Sequence, residues 1–172
     1  MSFEPWLIAI DIDGTLVHDD GFLAPEVIRE VTRVRDLGHH VIVATGRAAA
    51  NAIPVVQDVG IEAGHVVCSN GAVTIEIDHQ DDRGYSVREV IGFDPAPVLS
   101  QLIEKLPDAH FAVEDVDGTY RFHKPFPSYA LGAENIETPL DQLMHGEVSR
   151  VVVLSPEQNV NDFLEIVESV GL

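Results

Sequence analysis

Basic residues are scarce in this chain of 172 residues. Ten Lys and Arg stand against 29 Asp and Glu, a formal charge of −19, and the only lysines are Lys105 and Lys124. So acidic a chain repels phosphate backbones and anionic headgroups, and neither nucleic acid nor a membrane surface is expected as a partner. Cysteine is limited to Cys68, which excludes an internal disulfide and suits a reducing, cytoplasmic compartment. No apolar run nears the roughly 20 residues that a membrane helix needs. The N-terminus has no basic segment ahead of its apolar stretch, so no secretory signal is expected. The eight histidines are scattered, with no His-x-x-x-His and no Cys partner, which argues against zinc. A Walker A loop and a G-x-G-x-x-G turn are also missing.

What remains is a globular composition, 45% hydrophobic and 23% charged, enough for one domain or two small ones. Residues 6–12 (WLIAIDI) form an apolar run that stops at acids, as a buried parallel strand does. Pro25 opens a helical pattern, since proline is tolerated at the first helical position. Val27, Val31, Val34 and Leu37 give it one apolar stripe, and Gly38 caps its end. Residues 41–44 read as a second strand, ending at Thr45-Gly46-Arg47. A helical stretch interrupted near Pro54 follows, and residues 65–68 make a third strand ending at Ser69-Asn70-Gly71. Strand–helix–strand–helix–strand is the repeat of a parallel α/β sheet. Asp11 and Asp13, Thr45 and Asn70 all fall at strand C-terminal ends, the rim where open α/β sheets bind ligands.

Beyond residue 72 the pattern changes. Residues 72–78 and 85–92 read as paired strands, 95–106 as a helix with Val98, Leu102, Ile103 and Leu106 inward. Residues 109–116 and 119–123 read as a hairpin across Asp117-Gly118, and Glu114-Asp115 as a solvated turn, with facing the pocket as its alternative. Residues 149–154 read as a strand, and 157–170 as a helix with Val160, Phe163, Leu164, Val167 and Val170 inward. This order is α+β. The chain is therefore expected to divide into residues 1–72, a partial parallel α/β sheet, and 73–172, an α+β domain.

Asp11-Ile12-Asp13-Gly14-Thr15-Leu16 is the sharpest chemical signal. Two carboxylates two residues apart, where the chain leaves a strand, repel each other unless a cation or a proton is shared. Mg²⁺ suits them, because it takes oxygen ligands and keeps several waters. A metal-bound carboxylate stays ionised and can attack phosphorus, while a protonated neighbour can donate to the leaving oxygen and later activate water. Gly14 is expected to turn the backbone with its amides exposed, and Thr15 offers a hydroxyl. Cys68, alone at a strand end, is expected to be a small buried hydrophobe.

DIDGTL at 11–16, VIVATGR at 41–47 and SNGA at 69–72 together resemble the first part of the haloacid dehalogenase (HAD) superfamily, in its Cof-type phosphatase branch. The resemblance implies a Rossmann-like core followed by a large α/β cap domain, with 1–72 as core and 73–172 as cap. It implies a Mg²⁺-dependent phosphomonoester hydrolase acting on small sugar phosphates or similar metabolites through an aspartyl-phosphate. Asp11 would be the nucleophile and Asp13 the general acid and base. Asp11 would bind the metal by its side chain and Asp13 by its carbonyl. Gly14, Thr15, Thr45, Gly46, Arg47 and Asn70 would line the phosphate or leaving-group pocket.

The resemblance also implies a lysine beyond the cap and a second acidic metal-binding loop, and no residues match them. Lys105 and Lys124 read as solvated residues of the second domain, and Asp117-Gly118 as a hairpin turn. Without further core strands the strand at 6–12 has an open edge, which invites pairing. Two expectations follow: a fragment of a longer protein, or a homodimer or second chain covering that edge. The alternative to an enzyme is a non-catalytic phosphate-binding or assembly module that uses the edge.

Overall fold

The computed structural model describes residues 4–127, 130–131 and 135–170; the extreme ends of the two expected domains lie outside them. The chain forms two compact units that divide after Val90. In the first, β1 (Leu7–Ile10), α1 (Pro25–Asp36), β2 (His40–Ala44), α2 (Ala49–Asp58) and β3 (His65–Cys68) alternate as anticipated. A short 3₁₀ turn, Ser69–Gly71, leads to β4 (Val73–Ile77) and β5 (Tyr85–Val90). The five strands lie in the order β1-β2-β3-β4-β5. β1, β2 and β3 are parallel to one another; β4 and β5 are added antiparallel. The change of architecture near residue 72 is thus a change of strand direction within one sheet, because β3, β4 and β5 are joined by short turns. The division between compact units falls later, after Val90.

Both helices of this unit share one face of the sheet. Two right-handed crossovers that step in the same direction across a sheet must do so. Val27, Val31 and Val34 of α1 and Ala52, Ile53 and Val56 of α2 join Ile8, Ile10, Val41, Val43 and Val66 in a single core. Leu7, Ala9, Ile42, Ala44 and Val67 alternate to the opposite face and are exposed or half-buried. β1 is the edge of the sheet, paired only with β2. It is therefore not the fully buried strand that its composition suggested: Trp6 is 68% and Leu7 67% exposed. Pro54 sits inside α2, which runs on through it. Leu37 closes α1 with its side chain exposed, and Gly38 takes up a φ of +88° behind it, as a helix stop requires.

The second unit contains α3 (Ala96–Lys105), β6 (His110–Asp115), β7 (Tyr120–Phe122), β8 (Asn135–Glu137), a 3₁₀ turn (Leu140–Met144), β9 (Val148–Leu154) and α4 (Val160–Ser169). Its sheet runs β8-β7-β6-β9. Leu99 and Leu102 of α3 and Phe163, Ile166 and Val167 of α4 pack with Phe111 and Val113 of β6. Val160 and Leu164, expected inward, are exposed, because Ile166 takes part in the stripe instead. Glu114 is no solvated turn residue: it is 2% exposed on the opposite face of β6. The register places Tyr120 of β7 and Arg150 of β9 beside it. The Tyr120 hydroxyl donates to Glu114 Oε2 at 3.0 Å and Arg150 Nε donates to the same oxygen at 3.1 Å. Arg150 also bonds the Tyr120 hydroxyl. Burial, before any effect of Arg150 or Glu114, pushes the Tyr120 phenol well above its ordinary pKa.

Candidate active site

The loop after β1 separates its residues by chemistry. Ile12, Leu16 and Val17 are buried in the first core, while Asp11, Asp13, Gly14 and Thr15 are exposed. The turn is held by the Ile12 carbonyl, which accepts from the amides of Thr15 (3.3 Å), Leu16 (2.9 Å) and Val17 (3.0 Å). Gly14 has a φ of +70°, a conformation that side chains disfavour. Its amide is not turned outward as expected but donates to the Val17 carbonyl at 3.0 Å. Asp11 folds back on its neighbour, its Oδ1 accepting from the Ile12 amide at 2.7 Å.

Asp13 is tied across to the loop after β2. Arg47 Nε donates to Asp13 Oδ2 at 3.0 Å and Nη2 to Oδ1 at 2.6 Å. These hydrogen bonds, above all, hold the Asp13 carboxyl below its ordinary pKa; burial opposes them, and the guanidinium charge adds a lesser lowering. Arg47 is raised in turn by the Asp13 hydrogen bonds, with Asp11 adding a smaller attraction.

Thr45 is buried at the end of β2, where its Oγ1 accepts from the Arg47 amide at 3.2 Å. That leaves the hydroxyl proton to be donated elsewhere. The loop after β3 is stitched to the same segment: the Ser69 amide donates to the Arg47 carbonyl at 2.8 Å and the Asn70 amide to the Thr45 carbonyl at 3.2 Å. Ser69 and Asn70 both lie in the left-handed region, with φ of +50° and +56°. For residues with a side chain this costs on the order of 1–2 kcal/mol each. Strain of this kind persists where the surroundings impose it, and it collects at functional sites. Gly46 faces Asn70, and a Cβ there would lie 2.8 Å from Asn70 Oδ1.

The three strand ends therefore bring Asp13, Thr45, Gly46, Arg47 and Asn70 into one bonded rim, with Asp11 and Thr15 on its first loop. Sequence pattern did not foresee the Asp13–Arg47 pair or the consecutive left-handed residues; the TGR and SNG triplets were the available signals. Cys68 is buried at the end of β3, in keeping with a packing role. The lysines lie in the second unit, bonded locally: Lys105 Nζ to Ser169 Oγ at 2.5 Å and Lys124 Nζ to the Asp108 carbonyl at 2.9 Å. Among the described residues no helix is long and apolar enough to cross a membrane.

Residues 8–169 match the profile of the haloacid dehalogenase-like hydrolases. Over 167 residues the chain is 27% identical to the 5-amino-6-(5-phospho-D-ribitylamino)uracil phosphatase YitU of Bacillus subtilis, covering 93% of this chain and 60% of that protein. Over 106 residues it is 32% identical to the pyridoxal phosphate phosphatase YbhA of Escherichia coli, covering 60% of this chain and 36% of the relative. The crystal structure of TM0651 from Thermotoga maritima superposes with a TM-score of 0.67 at 18% identity, covering 97% of this chain and 62% of that one. The chain thus spans less than two thirds of the length of each of these proteins. With its motifs gathered on one rim and its residues 8–169 matched by the family profile, the chain belongs to the haloacid dehalogenase-like hydrolases.

Proposed function

We propose that this chain carries the nucleophilic part of a phosphomonoester hydrolase, with its second compact unit, which begins at Ile91 rather than at residue 73, as the cap domain. The observation that carries the proposal is the rim itself: an exposed Asp11, an Asp13 held by Arg47 two residues on, and a Thr45 hydroxyl bonded to the Arg47 amide of the same rim. With Asp11 Oδ1 held by the Ile12 amide, Oδ2 is the attacking oxygen. It forms a bond to phosphorus as the bond to the leaving oxygen breaks, and Asp13 gives that oxygen its proton. Asp13, now ionised, then takes a proton from water. The water oxygen bonds to phosphorus, the aspartyl bond breaks, and inorganic phosphate leaves with the Asp11 carboxylate restored.

Arg47 favours the ionised form of Asp13, which is the form the second step needs. The negative charge of an arriving phosphate raises the proton affinity of Asp13 and so prepares it for the first.

The donors of the first loop suit a hard cation. The Asp11 carboxylate and the Asp13 carbonyl offer oxygen only, and among the described residues no three metal-binding side chains gather. Mg²⁺ accepts one or two carboxylates and keeps its waters. Held by Asp11 and Asp13 it would supply positive charge to the phosphoryl oxygens. Thr45 and Thr15 would donate their hydroxyls to the phosphate, with Gly14, Gly46 and Asn70 shaping the pocket. Substrates are proposed to be small phosphorylated metabolites, as the names of the two phosphatase relatives indicate, in a cytoplasmic setting.

The test is phosphate release from an aryl phosphate with and without Mg²⁺. Metal-dependent release that is lost in Asp11→Asn, with the fold retained, is the expected outcome. A variant as active as its parent overturns the reading.

The open β1 edge favours a second reading, assembly through strand 6–12 with another copy or another chain. A dimer by light scattering that Leu7→Lys dissolves would support it; a monomer at all concentrations would not.

A further inference from the structure

Arg47 differs from the other residues of the rim in how completely it is held. Its amide donates to Thr45 Oγ1 at 3.2 Å and its carbonyl accepts from the Ser69 amide at 2.8 Å, so its main chain is anchored to both neighbouring loops. Its Nη1 reaches the Asn51 carbonyl in the first turn of α2, at 3.4 Å. The remaining arms of the guanidinium grip both oxygens of Asp13. Arg47 is 29% exposed and Asp13 62%, so the arginine is the fixed partner and the carboxylate the guided one. A single carboxylate on an exposed loop is free to rotate about two bonds. A planar fork meeting it with two parallel bonds sets both its position and its plane.

We propose that Arg47 is a positioning residue for Asp13, placing the carboxyl for proton transfer rather than acting only as a lining of the phosphate pocket. The proposal rests on the phosphatase reading above. Proton transfer contributes about 10²–10⁴ in rate, and it falls steeply when the donor is misplaced by an ångström. In the transfer to Asp11, loss of Arg47 is therefore felt where the leaving oxygen needs a proton and scarcely where it does not, while the water step, which uses Asp13 with every ester, slows alike for all.

Four proteins test this: the parent, Arg47→Ala, Asp13→Asn and the double variant, each on an alkyl phosphate and on 2,4-dinitrophenyl phosphate. For Arg47→Ala, kcat/KM, which reports phosphoryl transfer to Asp11, is expected to fall about 10- to 100-fold on the alkyl ester and by less than about threefold on the dinitrophenyl ester, while kcat falls on both because the water step still needs Asp13. Adding Arg47→Ala to Asp13→Asn is expected to cost nothing more. Arg47→Lys, which supplies charge without the fork, restores only part of the loss. A raised KM with unchanged kcat on both esters, additive with Asp13→Asn, overturns the proposal, since it makes the substrate phosphate the partner of Arg47. An Asp11→Asn variant as active as its parent instead overturns the phosphatase reading, which keeps the two failures apart.

A second measurement needs no turnover. The Nε–H resonance of ¹⁵N-labelled Arg47, identified by its loss in Arg47→Lys, is expected to be protected from exchange. It should lose that protection in Asp13→Asn and keep it when inorganic phosphate and Mg²⁺ are added to the parent. A resonance indifferent to Asp13→Asn, or one that loses its protection when phosphate is added, overturns the proposal.

Discussion

Gly46 and Asn70 approach so closely across the ends of β2 and β3 that a Cβ on Gly46 would stand 2.8 Å from Asn70 Oδ1. The glycine of the TGR triplet is required by its neighbour in the SNG triplet. Gly46→Ala is expected to push the Asn70 side chain out of the rim while β2 and β3 keep their register. Displacement of about an ångström at such a site costs up to about 100-fold in rate. Steady-state kinetics alongside thermal unfolding checks this: kcat should fall while the unfolding midpoint moves little.

The left-handed pair Ser69-Asn70 gives a second prediction. Asparagine tolerates this conformation better than most residues because its short polar side chain bonds locally. Asn70→Ala is expected to destabilise the first unit by about 1 kcal/mol, and Asn70→Gly by less. Urea unfolding of the three proteins ranks them.

The buried Glu114–Tyr120–Arg150 cluster behaves as one object. Removing the carboxylate leaves Arg150 and the Tyr120 hydroxyl without their shared acceptor, and breaking such a pair costs about 3–5 kcal/mol. Glu114→Ala should therefore be severe and Tyr120→Phe mild, at about 1 kcal/mol. Replacing Glu114 and Arg150 together by Leu and Met should recover most of the loss. Equilibrium unfolding gives all three values.

His123 supplies the pH dependence. Its Nδ1 accepts from the Phe111 amide at 3.1 Å and its ring stacks on Phe111 with centroids 5.6 Å apart. Both contacts suit a neutral imidazole. Burial, above all, lowers its pKa below the ordinary value, with Lys124 and His110 adding to this and a backbone hydrogen bond to Phe111 opposing it. The unfolded chain then holds the proton more tightly than the fold. This contribution is complete above about pH 6.5 and is lost as pH falls through the lowered folded value. Denaturation midpoints at pH 7.5 and 5.5 should differ less in His123→Gln than in the parent.

Much of this was legible in the chain. The first three strands and two helices follow from apolar runs cut by Pro25 and Gly38 and by the polar triplets that end them, and the residues of the rim follow from where those runs stop. The exposure of β1 was not legible. WLIAI has the composition of a buried strand, and only the sheet order shows it at an edge. Glu114 was misread because DVDG beside it is a turn signal, whereas the register across β7, β6 and β9 supplies the arginine and tyrosine that make its burial tolerable. The Asp13–Arg47 pair spans 34 positions, and no local pattern predicts a contact at that distance. Val160 and Leu164 looked inward because a helical stripe can be drawn through them, but Ile166 shifts the stripe that packs.

The mixed direction of the first sheet bears on the order in which the unit assembles. β3, β4 and β5 follow one another by short turns, so their pairings close small loops. β1 must find β2 across the whole of α1, and loop closure costs more as the intervening chain lengthens. The antiparallel meander, which carries only Asn70 of the rim, is thus expected to protect its amides first, and the edge bearing Asp11 and Asp13 last. Hydrogen-exchange pulse labelling during refolding would register Val73–Ile77 ahead of Leu7–Ile10. Chemistry in this chain is then placed on the latest-formed strand, so that a molecule caught part-way is folded in its hairpins and chemically silent.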